Sequence, residues 1–399
     1  MTTKAKSVLL IVICQVAAMT LWFSASSATA SLLAQGKITG HQAGMLTSAV
    51  QLGFVAGTLI SAWFGLPDRF DPRRLFASCT FAGALANMAL LATGFDAPAT
   101  LVLRFATGVM LAGVYPVGMK LAAGWADHAM GLMIGILVGA LTLGSALPHL
   151  FGALSGLDWQ TTIWVSSCCA LLAAFAILFA ALGPAHRSSP RFIPGEAWKE
   201  LRRPALLLAN AGYLGHMWEL YAMWAWIGVF LSWGLAQTGE SQPSHASFLT
   251  FVVIASGAIG CIAAGYLADR FGRTAITMAA MITSGLCACF IGFLPPVGSV
   301  ALIAVAIIWG ITIIADSAQF SAAIAELSPA RLVGSMLTLQ TSIGFLFTFI
   351  TIQFMPLLIE LLTWRYTFAI LAIGPFLGTL AMWRLRHQPD ARLIAGGRL

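Results

Sequence analysis

Charge is what this sequence has least of: Asp, Glu, Lys and Arg make up 9% of its 399 residues, against roughly 25% in soluble domains. So little charge cannot cover a water-facing surface, which excludes a soluble globular chain. Motif absences exclude further classes. There is no GxxxxGK[ST] loop to cradle nucleotide phosphates, which removes an ATP-driven pump. Neither HExxH nor GxSxG occurs, and no carboxylates cluster at metal-ligand spacing, so a membrane-embedded enzyme is not indicated and no metal or cofactor is expected. The seven cysteines, Cys14, Cys79, Cys168, Cys169, Cys261, Cys287 and Cys289, form no CxxC pair and all sit in apolar stretches, where they read as buried, inert thiols. Large extramembrane segments are also lacking, which argues against a receptor.

What the chain has instead is hydrophobic length, with 59% of its residues apolar. A bilayer-spanning helix needs about 20 mostly apolar residues, and twelve such runs can be counted, near 7–30, 43–66, 75–95, 99–122, 131–153, 160–183, 205–234, 247–268, 275–294, 298–322, 332–356 and 364–384. Barrel strands would alternate over about ten residues, whereas these runs are continuous. The expected fold class is an all-α integral membrane protein of twelve transmembrane helices in two pseudo-symmetric six-helix bundles.

The net charge of +7 does not call for nucleic acid, because its placement explains it. With the N-terminus in the cytoplasm, eighteen of the 21 Lys and Arg fall at cytoplasmic ends, Lys37 and Arg365 lie opposite, and Arg104 lies inside a span. That asymmetry follows the positive-inside rule and predicts a cell inner membrane protein with both termini cytoplasmic. Lys4 and Lys6 ahead of an apolar run, followed by Ala28-Thr29-Ala30, imitate a signal peptide. The apolar stretch continues to about Ala34, however, and is read as an uncleaved first helix.

The most polar internal segment, 184–204, carries five basic residues and divides the spans six and six. It reads as a cytoplasmic linker between an N-terminal bundle (1–183) and a C-terminal bundle with a short tail (205–399). Internal repetition supports the division: GLPDRFDPRR after the second span and GYLADRFGR after the eighth place Asp68 and Asp269 at an offset of 201 residues. The same offset superposes the first span on the seventh, pairing Gln15 with His216 and Phe23 with Trp224.

GYLADRFGR resembles the major facilitator signature GxLADRxGR, matched here by Gly265, Leu267, Asp269, Arg270, Gly272 and Arg273. The first copy keeps Asp68 and Arg69 but has Asp71 in place of the second glycine. The resemblance implies two bundles rocking about a central cavity lined by the first, fourth, seventh and tenth helices, with Asp68, Arg69, Gly265, Asp269, Arg270 and Arg273 as gating residues. Segments 104–125 and 212–228 are similar to the cyanate and nitroimidazole transporter branch. Nitrate porters are disfavoured, since the second and eighth spans lack an internal arginine, and drug antiporters are weakened because Gly135, Gly139 and Gly144 have no adjacent proline.

Ionisable groups in mid-bilayer are functional candidates by default. Arg104, His216, Glu219 and Asp316 lie deep in spans, on the helices that the resemblance places around the cavity. Helical spacing sets Arg104, Gly108, Leu111 and Tyr115 on one face, Gln15, Met19, Trp22 and Ser26 on another, and Tyr213, His216, Glu219 and Met223 on a third, with Gln319 beside Asp316. The competing structural roles are specific: Arg104 locking its half, His216 and Glu219 satisfying each other at i, i+3, Asp316 as a packed acceptor, the tryptophans as packing, and the glycines of Gly131–Gly144 as close helix contacts.

The expectation that follows is a secondary transporter working by alternating access as a monomer in the lipid bilayer. It would move a small polar or anionic solute held by Gln15, Trp22, Arg104, Tyr115, Tyr213, His216 and Gln319, with a proton as coupling ion on Glu219 or Asp316. A proton-coupled drug efflux antiporter is the alternative.

Overall fold

A computed structural model describes residues 3–95, 98–125, 130–184, 192–239 and 242–398. Helices dominate, and no strand occurs among the described residues. In chain order the long helices are α1 (Thr3–Phe23), α2 (Gly40–Phe64), α3 (Pro72–Thr93), α4 (Pro98–Ala123), α5 (Met130–Leu154), α6 (Trp159–Phe179), α7 (Pro204–Gln237), α8 (Pro243–Phe271), α9 (Arg273–Phe293) and α10 (Ser299–Leu327). The stretch Val333–Arg386 breaks at Thr363 (φ 59°, ψ 167°), which separates α11 (333–362) from α12 (364–386). Ten described helices, this stretch included, are long and apolar enough to cross a membrane. The break and the more polar α7 bring the number of spanning segments to twelve. At 34 residues α7 is ample in length for a bilayer, and Asn210, His216 and Glu219 dilute its apolar run.

Local chemistry sets several boundaries. Thr39 starts α2 with a reciprocal capping box: Gln42 N–H donates to Thr39 Oγ1 at 3.2 Å and Thr39 N–H to Gln42 Oε1 at 2.8 Å. Asp158 caps α6 by accepting from the backbone of Gln160 and Thr161. Gly65 ends α2 in the left-handed conformation (φ 61°) that a side chain would resist.

The two halves repeat one another in detail. Helix α4 is interrupted between Leu111 and Tyr115, and α10 between Ile313 and Ser317. Within each half the interrupted helix crosses a neighbour at backbone contact. A Cβ on Gly108 would lie 1.9 Å from the Val50 carbonyl oxygen of α2, and one on Gly310 would lie 1.9 Å from that of Val253 on α8. Gly57 and Gly260 make the matching approaches to Val109 and Ile311. Small residues at helix crossings are the main way helices associate where the surroundings are as apolar as the helices.

Two seams join the halves. Along α5 and α8, Gly135 lies beneath the Cys261 carbonyl and Gly139 beneath Ala258, which is the close packing read from Gly131–Gly144. Along α2 and α11, Thr348 Oγ1 donates to Gln51 Oε1 at 2.7 Å and Gln353 Nε2 to Ser48 Oγ at 3.0 Å. Of the segment 184–204, residues 185–191 lie outside the described residues. Pro194–Glu200 forms a short helix leading to α7.

Gly108→Ala and Gly310→Ala should each destabilise one half by about 1–3 kcal/mol through overpacking. Thermal unfolding in detergent should show a lowered midpoint for both variants, and an unchanged midpoint would mean the crossings tolerate a methyl group.

Candidate functional site

The four deep ionisable groups do not share one aqueous space. All are buried, with Arg104 at 0% exposure and His216, Glu219 and Asp316 at 2%. Each has a different set of partners.

Arg104 is held inside the first half, where its guanidinium donates to five acceptors. Nε reaches the Leu46 carbonyl at 3.3 Å, and Nη1 reaches the Leu21 carbonyl (3.1 Å), Ser24 Oγ (3.2 Å) and Asn87 Oδ1 (3.1 Å). Nη2 reaches the Trp22 carbonyl at 2.5 Å. Asn87 in turn donates to Ser167 Oγ at 3.0 Å, which ties α3 and α6 into the same cluster. A fork filled by backbone and side-chain oxygens cannot also grip an anion. The expectation that Arg104 faces a cavity is therefore corrected: it locks α1, α2, α3 and α4 together. The face proposed to run from Arg104 to Tyr115 is also cut by the interruption in α4, and Gly108 on it is turned toward Val50.

His216 and Glu219 do not pair with one another. Glu219 accepts from Trp309 Nε1 at 2.7 Å and from Ser284 Oγ, which fastens α7 to α9 and α10. His216 instead brings Nδ1 to 2.8 Å from Asp316 Oδ1, without the alignment of a hydrogen bond. It stacks near Tyr213, 6.1 Å between ring centroids, and packs against Phe320 at 5.6 Å. Asp316 sits at the break of α10, where its side chain caps nothing. At this break Asp316 Oδ1, His216 Nε2 and Gln319 Nε2 lack hydrogen-bond partners in the protein, as do, elsewhere in the described residues, both amide atoms of Gln15, the amide of Gln340 and the indole nitrogens of Trp22 and Trp224. Buried polar atoms are nearly always paired, so three unpartnered ones at the break of α10 make it the candidate site.

Above these groups the halves meet in an aromatic cluster that sequence reading placed only in part. Trp22 packs on Phe54 (5.0 Å) and, across the interface, on Tyr221 (5.9 Å) and Phe345 (5.5 Å). Phe23 faces Trp224 at 5.8 Å and Phe54 faces Phe345 at 4.8 Å, all within the range of favourable ring pairs. Phe54 and Phe345 were missed because nothing in an apolar helix distinguishes a cluster phenylalanine from a lipid-facing one. Tyr115 is half-buried at the start of the second segment of α4.

The two signature loops differ. In the second, the Asp269 carboxylate lies against Gly131 at the N-terminus of α5, so close that a Cβ there would come within 2.6 Å of Asp269 Oδ2. An acid at that position complements the helix dipole of the opposite half. Gly265 packs against Gly131 as well. Arg273 lies 3.5 Å from Asp269, donates to both oxygens of Glu326 (2.8 and 3.0 Å) and reaches Gln319 Oε1 at 2.9 Å. Arg270 lies over the Phe271 ring at 5.4 Å.

In the first loop Asp68 pairs with Lys120 of its own half, and Arg69 is exposed. Asp71 takes up a structural role as the N-cap of α3. It accepts from Arg73 N–H at 2.9 Å, and the adjoining guanidinium holds its carboxyl below the usual range. The Arg73 guanidinium also donates to the Ala180 carbonyl at 3.1 Å.

Duplicated bundles, interrupted helices at matching positions and unpaired polar groups between halves define a membrane transporter with internal repeats. The family model described as Major Facilitator Superfamily matches residues 11–350 and again 220–399, and the chain belongs to that superfamily of secondary transporters. It is similar to the multidrug efflux pump Tap of Mycobacterium tuberculosis, 27% identical over 294 residues, an alignment spanning 66% of each chain. The uncharacterized transporter YgaY of Escherichia coli O157:H7 is 31% identical over 35% of each chain. An uncharacterized MFS-type transporter of Yersinia pestis is 27% identical over 60% of this chain and 61% of its own. Among solved structures, the nucleoside transporter NupG shares the fold, with a TM-score of 0.72 and 15% identity over 97% of this chain and all of that one.

Arg104→Ala should leave five acceptors and an opened cavity in the first half, a loss on the order of 3 kcal/mol or more. Thermal unfolding should show the loss, and the folded fraction should bind solute with unchanged affinity. A stable variant that has lost solute binding would restore the anion-holding role.

Proposed function

We propose that the chain is a proton-coupled transporter carrying a small polar solute between its two halves by alternating access, with His216 and Asp316 as the proton-loading pair. The observation that carries the reading is the 2.8 Å contact of His216 with Asp316 at the break of α10, where Asp316 Oδ1, His216 Nε2 and Gln319 Nε2 have no hydrogen-bond partner in the protein. An anionic solute loses its strongest support, because the Arg104 guanidinium is fully engaged. Glu219 is held by two donors, which favours Asp316 over Glu219 as the group that exchanges a proton. The basic residues support an inner-membrane location with cytoplasmic termini and bundles bounded at 183 and 205. The similarity of 104–125 and 212–228 to the cyanate and nitroimidazole branch finds no support in the relatives named above, and the substrate class proposed rests on the site.

Coupling follows from connectivity. Protonation of Asp316 would weaken its attraction to His216, and the segment after the break, Ser317–Leu327, carries Gln319 and Glu326. Those two residues hold Arg273, which stands beside Asp269 on the N-terminus of α5. A shift of that segment therefore reaches the contact between halves directly. Such ion pairs bias two arrangements rather than bend one, as a population shift requires.

The efflux alternative has its own support in the aromatic cluster and in the similarity to Tap. Lower drug accumulation in cells expressing the chain, dependent on a proton gradient, would favour it.

In proteoliposomes, Asp316→Asn should remove the dependence of transport on an imposed pH gradient while Glu219→Gln retains it; full gradient dependence in Asp316→Asn would refute the pair. Asp269→Asn should slow turnover more than Asp68→Asn and leave solute binding intact. Equal rates for wild type and Asp269→Asn would reduce the loop to a topological signal.

A further inference from the structure

A second site lies apart from the central groups. On the face opposite the chain ends, a cavity of about 280 Å³ opens between the halves. The short helix Thr29–Ala34 and α5 wall it on one side, and α7 and α8 on the other. Its volume is at the lower edge for ligand pockets, which restricts it to small molecules. Its described lining residues include no Asp, Glu, Lys or Arg.

Four of the seven hydroxyl groups lining it give their hydrogens to backbone carbonyls as follows. Ser31 donates to the Ala28 carbonyl (3.0 Å), Ser232 to Gly228 (2.9 Å), Thr250 to Ala246 (2.8 Å) and Ser247 to His149 (2.8 Å). Each hydroxyl has one hydrogen and two lone pairs, so with the hydrogen engaged only acceptor capacity is left for a ligand. His149 is 5% exposed and lines the same cavity, and its Nε2 has no partner in the protein. The backbone N–H groups of His245 and Ala246, at the adjoining end of α8, both donate to Gln242. Ala30, Ala34, Leu157 and Val229 supply apolar wall.

We propose that this vestibule is a recognition site for a small primary ammonium group on an apolar body. An ammonium brings three donors and no acceptor, which matches the four hydroxyl oxygens whose hydrogens are engaged. A carboxylate would meet those four oxygens, with the Gln35 amide and His149 Nε2 as the side-chain groups able to donate to it, and the oxygens of a polyol would share the same two. The wall is shared by both halves, with Ser247 of α8 bonded to the His149 carbonyl of α5. Rocking would therefore dismantle the site and release its occupant. The proposal deepens the transport reading and rests on it.

The test uses the full chain in nanodiscs with phenethylamine, protonated at pH 7, and phenylacetate, which has the same body and the opposite charge. Calorimetry should show phenethylamine binding on the order of tenfold tighter or more. Ser232→Ala with Thr250→Val removes two acceptors whose hydrogens only supplemented helical carbonyls, so the fold should persist. That double variant should lose affinity by on the order of tenfold, and Ser31→Ala, on the short helix, provides an independent check with a smaller loss.

Equal binding of phenylacetate or an unaffected double variant would each overturn the vestibule assignment. Gradient-driven phenethylamine uptake that survives in the double variant at unchanged affinity would leave the transport reading standing without it. Wild-type liposomes that move no phenethylamine despite binding it at the vestibule would count against the transport reading instead.

Discussion

A polar group buried away from water must find a partner inside the protein, and in a chain surrounded by lipid no edge or loop can escape that condition. The arrangement of this molecule follows from how each group meets it. Arg104 meets it fully, through three backbone carbonyls and two side chains, and in doing so binds four helices of one half into a unit. Glu219 does the same for the other half through Ser284 and Trp309. His216, Asp316, Gln15 and Gln340 meet it incompletely. The contrast separates charges that build the bundles from groups left open for the proposed ligand or proton, and proximity to the middle of a span does not.

Rigid halves need an interface that can part. Close approach through Gly135 and Gly139 gives α5 and α8 a smooth contact with few interlocking side chains, while the polar bonds of the α2–α11 seam, from Thr348 and Gln353, are few and can be exchanged for water. The Asp269 carboxylate at the N-terminus of α5 adds an electrostatic latch on the face that carries the chain ends. The tail reinforces it: the Arg398 guanidinium donates to the Asp269 carbonyl at 2.5 Å, and Ala395 N–H to Glu326 at 3.0 Å.

The spans were legible in the sequence because an apolar run of bilayer length has few alternatives, and even α7 could be counted despite its polar residues. The signature motif was legible because its residues are consecutive. What could not be read were contacts whose partners leave no trace in side-chain chemistry. Arg104 looks the same in sequence whether it faces a cavity or five oxygens, three of them backbone. The interruption in α10 falls on Ile314-Ala315-Asp316, with no proline or glycine to announce it, whereas that in α4 falls on Ala112-Gly113-Val114, ahead of Pro116, whose missing N–H was a signal the sequence carried. The pairing of His216 with Asp316 rather than with Glu219, three residues along its own helix, depends on how α10 breaks, which is a tertiary fact.

Alternating access through the Asp269 latch is most directly tested by paired distance measurements between spin labels, one pair at Phe70 and Phe271 on the face with the chain ends and one at Gln35 and Gln242 across the vestibule. All four positions are exposed. With Asp269→Asn, the 70–271 distance should lengthen while the 35–242 distance shortens, the opposed change that rocking of two rigid halves demands. Distances that stay fixed in the variant, or that lengthen together, would contradict it.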